Sequence, residues 1–142
     1  MTRPTLEIPD HFPFSFETTV RVTDVNYGGH LGNDALLGLV HEARLRWLEH
    51  HGFSEVDAGG AGLIMTDLTV LFRAEAFRSD ALRIEVAMTD VGRGSFALVY
   101  HVTRPLEGAV VADVRTGMAF FDYERRRAAR MPEAFREATN GE

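Results

Sequence analysis

Hydrophobic and polar positions along the chain follow a two-residue rhythm in most places and a helical rhythm in one. Phe16 to Val22 is rich in β-branched and aromatic residues and roughly alternates, which predicts a strand. The segment DVNYGGHLGND, Asp24 to Asp34, then places three Gly, two Asn and two Asp in 11 residues. That composition predicts a loop, with Asn33 or Asp34 capping the helix that follows. From Asp34 to about His51 there is no Pro, and Leu36, Leu37, Val40, Ala43, Leu45, Trp47 and Leu48 recur near helical spacing. Glu42 and Arg46 form a stabilising i,i+4 pair, and Gly52 supplies a stop. Two apolar stripes, one through Leu37 and Val40 and one through Leu36, Leu39 and Ala43, meet at Trp47. So wide an apolar surface must be covered on most sides, which predicts a central helix.

The remaining segments predict strands. Leu63–Phe72 is apolar and β-prone, and Ala81–Thr89 alternates strictly. A turn at Asp90–Gly94 leads into Ser95–Thr103, and a second turn at Pro105–Gly108 leads into Ala109–Tyr123, whose glycine suggests a bend or bulge. Arg125–Arg130 is a basic stretch, and Pro132–Ala138 predicts a short helix with proline at its start. Pro4, Pro9 and Pro13 make the first 15 residues an irregular leader. The expectation is therefore an α+β fold in a single domain over residues 1–142, core about 16–123, with one long central helix wrapped by a curved five-stranded antiparallel sheet. Self-association, as a homodimer or dimer of dimers, is the simplest way to cover the outer face of that sheet.

Composition narrows the classes. At 142 residues the chain suits one domain, and 45% hydrophobic with 25% charged residues is ordinary for a globular protein. A net charge of −6 argues against nucleic acid as a main partner. All 15 basic residues are Arg. Without Cys, disulfides, thiolate nucleophiles and Cys-ligated zinc are excluded together. No long apolar run predicts a membrane span, and the first residues do not have the pattern of a signal peptide, so the cytoplasm is the expected location. His50-His51 lacks metal-ligand spacing, and neither metal nor cofactor is expected.

The chemistry concentrates in residues 22–52. Asp24, the pair Gly29-His30, Asn33 and the helical run Glu42-Ala43-Arg44 stand in the order strand, glycine-rich loop, helix; Ser79-Asp80 and Gly94-Ser95 follow later. This arrangement resembles the hotdog thioesterases, specifically the 4-hydroxybenzoyl-CoA thioesterase-like group, over about Phe16 to Tyr123. The resemblance implies a hotdog fold and an acyl-CoA or acyl-carrier thioester as substrate. That group commonly carries Asp-x-Asp, x-x-Gly-His-x-x-Asn and Glu-Ala-Arg, with the second acid acting as nucleophile or general base. Here that acid is replaced by Asn26, whose amide cannot take a proton from water near neutral pH.

Other groups are then the candidates. Asp24 shares a strand face with Asn26 and is a candidate base, or else a carboxylate that orders the loop. Glu42 sits where some other hotdog thioesterases place a catalytic acid, or serves Arg46. His30 is a substrate-orienting or structural residue, and Asn33 completes the motif. Backbone N–H groups at Gly29, Gly32 and Asp34 are candidate oxyanion donors near the helix start. Arg93, Gly94 and Ser95 are the candidate CoA contacts, with Arg73 and Arg78 behind them. Gly28-Gly29 fits neither nucleotide-loop pattern. Two alternatives stay open. One is a hydratase, since Asp24, Asn26 and His30 echo Asp-x-Asn-Pro-x-His without its proline and with His one place late. The other is a thioester-binding protein without turnover.

Overall fold

Residues 2–140 and 142 are described by a computed structural model. Strand β1 (Phe14–Thr19) leads through a short 3-10 turn (Val22–Asp24) into helix α1 (Asn33–His50). Four long strands follow: β2 (Gly62–Phe72), β3 (Ala81–Thr89), β4 (Ser95–Arg104) and β5 (Ala109–Asp122). A two-residue β6 (Arg127–Ala128) and helix α2 (Glu133–Thr139) complete the described elements. The sheet is antiparallel in the order β1-β3-β4-β5-β2, with β6 on β5. The five expected strands are present, and the two-residue β6 adds a sixth. The basic stretch folds back because Phe121 and Asp122 pair with Ala128 and Arg127 across a turn that the Asp122 carboxylate ties to the N–H groups of Glu124 and Arg125.

α1 is central, as its stripes predict. Leu36, Leu39, Val40, Ala43, Trp47 and Leu48 are buried against Leu82, Ile84, Leu98, Tyr100, Val114 and Phe120 from the concave face. The first strand begins two residues earlier than expected and stops at Thr19, because Val20 leaves the register to bond with Asp80 and Ser79. The bulge expected in the last strand falls partly on its partner. Thr66 of β2 is the extra residue opposite Gly117, where a Cβ would overlap the Asp67 carboxylate. Phe96 and Phe120 are core, whereas Phe72, at the end of the edge strand β2, and Phe77, in the segment after it, are 52% and 44% exposed.

A buried polar group fixes α1 to the sheet. Arg44 donates to Glu55 Oε2 (3.0 Å) and to the Tyr100 hydroxyl (3.3 Å), which contacts Thr116 Oγ1 (2.8 Å). His41 completes the set through Glu55 Oε1 at 2.7 Å. Burial works against the charge on Arg44, but Tyr100 and Glu55 outweigh it and hold its pKa above the ordinary value. Burial, with a smaller push from the Glu55 charge, holds the Tyr100 phenol above its ordinary pKa although Arg44 and Thr116 act the other way. His51 is largely enclosed, packing edge-on against Trp47 and pairing with Glu142.

The outer sheet face is not left wholly for a second copy. The leader crosses it: Phe12 stacks on His101 with ring centroids 5.7 Å apart, and Leu6, Ile8 and Pro9 share a cavity with Val99 and Arg115. Under it, His101 and Arg73 both contact the buried Asp113 carboxylate, at 2.6 Å and 3.2 Å.

Candidate active site at the start of the central helix

The glycine-rich loop is organised by its own short-range hydrogen bonds. Asp24 Oδ2 accepts from the Arg21 backbone N–H (2.8 Å) and from Arg21 Nε (3.3 Å), while Oδ1 accepts from the same guanidinium at 3.4 Å. Asp24 is only 7% exposed, so this carboxylate orders the loop and both its oxygens are occupied. Asn26 accepts the Gly28 N–H on its side-chain oxygen (2.9 Å), an Asx-turn, and its backbone N–H donates to the His30 carbonyl. Gly29 closes the turn with φ +81, a conformation that a side chain would strain. Val25 then bridges Leu31, and His30 bridges Phe77, so the loop is held between the end of β1 and the segment after β2.

The chain enters α1 without the cap its sequence predicts. Gly32 occupies the N-cap position and no side chain caps the helix; Asn33 is already the first helical residue. Asp34 spends one carboxylate oxygen on its neighbour, the Ala35 N–H, at 3.0 Å. Of the expected backbone donors, Gly29 gives its N–H to the Asn26 carbonyl and Gly32 gives its own to Asp24. Among the described residues this leaves the Asn33 and Asp34 N–H groups open at the positive end of the helix dipole.

Two cavities flank that helix start. On the β1 side is a cleft of about 740 Å³ lined by Asp24, Asn26, Gly32, Asp34 and Glu42. Its carboxylates are largely answered: Asp24 by Arg21, and Glu42 by Arg46 at 2.7 Å. The Glu42 carboxylate beside it raises the Arg46 pKa. On the β2 side is a smaller cavity of about 310 Å³ with walls of Leu31, Leu36, Phe72, Ala76 and Val111, and His30, Asn33, Arg73 and Glu75 among its polar groups. The structure therefore divides the expected residues. Asp24, Asn26, Asp34 and Glu42 fall on one side of the helix start, His30 and Asn33 on the other.

Glu42 lines the same cleft as Asp34 but stands eight residues further along the helix, about 12 Å from it along the axis. Arg93, Gly94 and Ser95 lie at the β3–β4 turn, beyond Thr89, whereas the loop lies beside Ala81. The length of β3, about 26 Å, separates them within one chain. Gly94 is small because a Cβ there would come within 2.8 Å of the Ala129 carbonyl; Arg93 shares a surface cavity with Arg130 and Arg136. Glu75 was not visible as a site residue in the sequence, since it sits in an exposed segment far from the motif, and the backbone links of Leu31 to Ala76 and His30 to Phe77 bring it to His30. Among the described residues no group of three His, Cys, Asp or Glu is placed to hold a metal ion, and no helix is long and apolar enough to cross a membrane.

Sequence comparison connects this geometry to a family. The sequence model of the thioesterase-like superfamily matches residues 20–139, which include the loop, α1 and the whole of β2 to β5. The chain belongs to the thioesterase-like superfamily. That membership indicates thioester hydrolysis as its general chemistry. No curated protein matches by sequence. Among solved structures, the chain is similar to Slr0204, a 1,4-dihydroxy-2-naphthoyl-CoA thioesterase from Synechocystis, with a TM-score of 0.82 at 21% identity, covering 90% of this chain and 96% of that one. It is similar to the gentisyl-coenzyme A thioesterase BH1999, with a TM-score of 0.78 at 20% identity over 89% and 99% of the two chains. SAV2348 from Staphylococcus aureus, solved in complex with CoA, gives a TM-score of 0.82 at 16% identity over 94% and 85%. These likenesses establish the hotdog fold that the motif implies.

Proposed function

We propose that this superfamily member hydrolyses an acyl-CoA thioester with the scissile carbonyl bound at the N-terminus of α1. The observation that carries this reading is the cavity shared by His30 and Asn33 beside an uncapped helix start. The Asn33 N–H supplies a donor where negative charge develops on the carbonyl oxygen, reinforced by the helix dipole. With Asn26 lacking a carboxylate and Asp24 occupied, the His30 imidazole serves as the base. It takes a proton from water as the water oxygen adds to the carbonyl carbon, giving a tetrahedral oxyanion. Collapse breaks the C–S bond, and the departing thiolate recovers that proton, so the products are the free acid and CoA.

The substrate class and the assembly belong to the same proposal. The relatives named above include two aryl-CoA thioesterases and one CoA complex, which supports CoA over a carrier protein. β2 is an edge strand bearing Met65, Leu68 and Phe72 at 49%, 38% and 52% exposure. Pairing of that edge with a second copy would cover them. Arg93 serves the site only from such a second copy, because its own loop is a strand length away.

Release of free thiol from benzoyl-, phenylacetyl- and octanoyl-CoA tests the reading. Hydrolysis by the wild-type chain is expected, with His30→Ala lowering kcat by about 10²–10⁴. Tight binding of these thioesters without turnover would replace it with the binding-protein reading, and hydration of an enoyl-CoA with the hydratase reading.

A further inference from the structure

Glu75 is an exposed carboxylate with one ionic contact among the described residues, and that contact is His30. Its Oε1 lies 3.8 Å from His30 Nε2, within ion-pair reach and about 1 Å longer than a hydrogen bond. The two residues are set opposite one another by backbone, not by chance of rotamer. The Leu31 N–H donates to the Ala76 carbonyl at 2.8 Å and His30 bridges Phe77, so the segment carrying Glu75 is stitched to the segment carrying His30. Both side chains line the cavity onto which Asn33 opens. Glu75 makes no hydrogen bond to any other described group, and an exposed ion pair of this kind contributes little to stability. The fold therefore does not explain why the carboxylate stands there.

We infer that Glu75 is a positioning residue for hydrolysis, holding the His30 imidazole in the tautomer that carries its proton on Nε2 and leaves Nδ1 free to accept a proton from water. This rests on the reading of His30 as the base at the start of α1. The distance needs to close by only the length separating an ion pair from a hydrogen bond, which an exposed Glu side chain achieves by a change of rotamer as substrate fills the cavity. A carboxylate facing one ring nitrogen both selects the tautomer and stabilises the imidazolium that forms during attack. No further co-reactant is required, since the proton taken from water leaves on the thiol.

Four variants test the inference: Glu75→Gln, Glu75→Asp, His30→Ala and the double variant His30→Ala/Glu75→Gln, each assayed for thiol release from benzoyl-CoA and melted thermally. Glu75→Gln is expected to lower kcat by about 10–100-fold with KM changed less than about threefold, and Glu75→Asp to recover a large part of the rate. In the His30→Ala background, Glu75→Gln should cost nothing more, because a positioning residue has no role once the group it positions is gone. Melting temperatures of the Glu75 variants should match the wild type. Loss of the same factor in both backgrounds, a change confined to KM, or an unaffected Glu75→Gln rate with an active wild type would each overturn this inference alone. A wild-type chain that releases no thiol would overturn the hydrolysis reading and this inference with it.

Discussion

The two ends of α1 are built by different physics. At its C-terminal end Trp47, Phe96, Phe120 and Phe135 are at most 2% exposed, and Phe135 sits 5.0–6.1 Å from the rings of Phe120, Phe96, Phe53 and Trp47. At its N-terminal end there is almost no aromatic packing. Position is set there by short-range hydrogen bonds among Arg21, Asp24, Asn26, Gly28, His30 and Gly32, and by one left-handed glycine. The aromatic end stabilises the helix through buried area. The polar end leaves two N–H groups open beside an imidazole whose one ionic contact among the described residues is Glu75, a set that a reaction on a carbonyl could use. On the proposed reading stability and chemistry are separated along one helix, and substitutions should separate them too.

The largest effect belongs to the aromatic end. Phe135→Ala should cost about 3–5 kcal/mol in chemical denaturation while leaving the turnover of folded molecules unchanged. A matching fall in kcat would break the separation. Midway along the helix, Glu55→Gln leaves Arg44 without its carboxylate and should cost about 1–3 kcal/mol. Burial of Glu55 favours its neutral form, but His41 and Arg44 outweigh that and hold its pKa below the ordinary 4.5. A depressed carboxylate pKa contributes stability that is fully present above about pH 5.5 and is lost as pH falls through the folded value. Melting curves of the wild type should therefore fall steeply below pH 4.5, and those of Glu55→Gln less so.

At the polar end the effects on stability shrink. Gly29→Ala forces a side chain into φ +81 and should cost about 1–2 kcal/mol. Faster amide exchange confined to residues 24–33 would show that the strain stays local, whereas a global loss would mean the loop is part of the main folding unit. The smallest effect is expected at Glu42, despite its place in the Glu-Ala-Arg motif. Glu42→Gln should change kcat by less than about threefold, because the carboxylate is some two turns from the helix start and already bound to Arg46. A hundredfold loss would move the reaction into the β1-side cleft.

Much of this organisation was legible in the chain. The alternation of Ala81–Thr89 gives β3 its observed bounds, and the apolar stripes of Leu36 to Leu48 place α1 at the centre with Gly52 as its left-handed stop. The glycine-rich loop and its Gly-His pair pointed to the helix start at which we propose the chemistry. What was not legible depends on contacts between distant segments. Nothing local tells that Gly32 and not Asn33 is the N-cap, that Arg21 occupies Asp24, or that Phe12 lies against His101. Likewise, residues 30 and 33 face a different cavity from 24, 26 and 34 because the loop passes between two bridges before entering the helix. Glu75 gives no signal in a sequence, since an exposed Glu in a turn is ordinary, and its partner is 45 positions away.

The central claim is that the thioester carbonyl binds at the open start of α1. A crystal structure with a non-hydrolysable thioether or ketone analogue of benzoyl-CoA tests it most directly. The account predicts the carbonyl oxygen within hydrogen-bonding distance of the Asn33 or Asp34 N–H, with His30 beside it and the acyl group in the cavity walled by Leu36, Phe72 and Val111. A carbonyl seated against Glu42 and Arg46 in the β1-side cleft would contradict it.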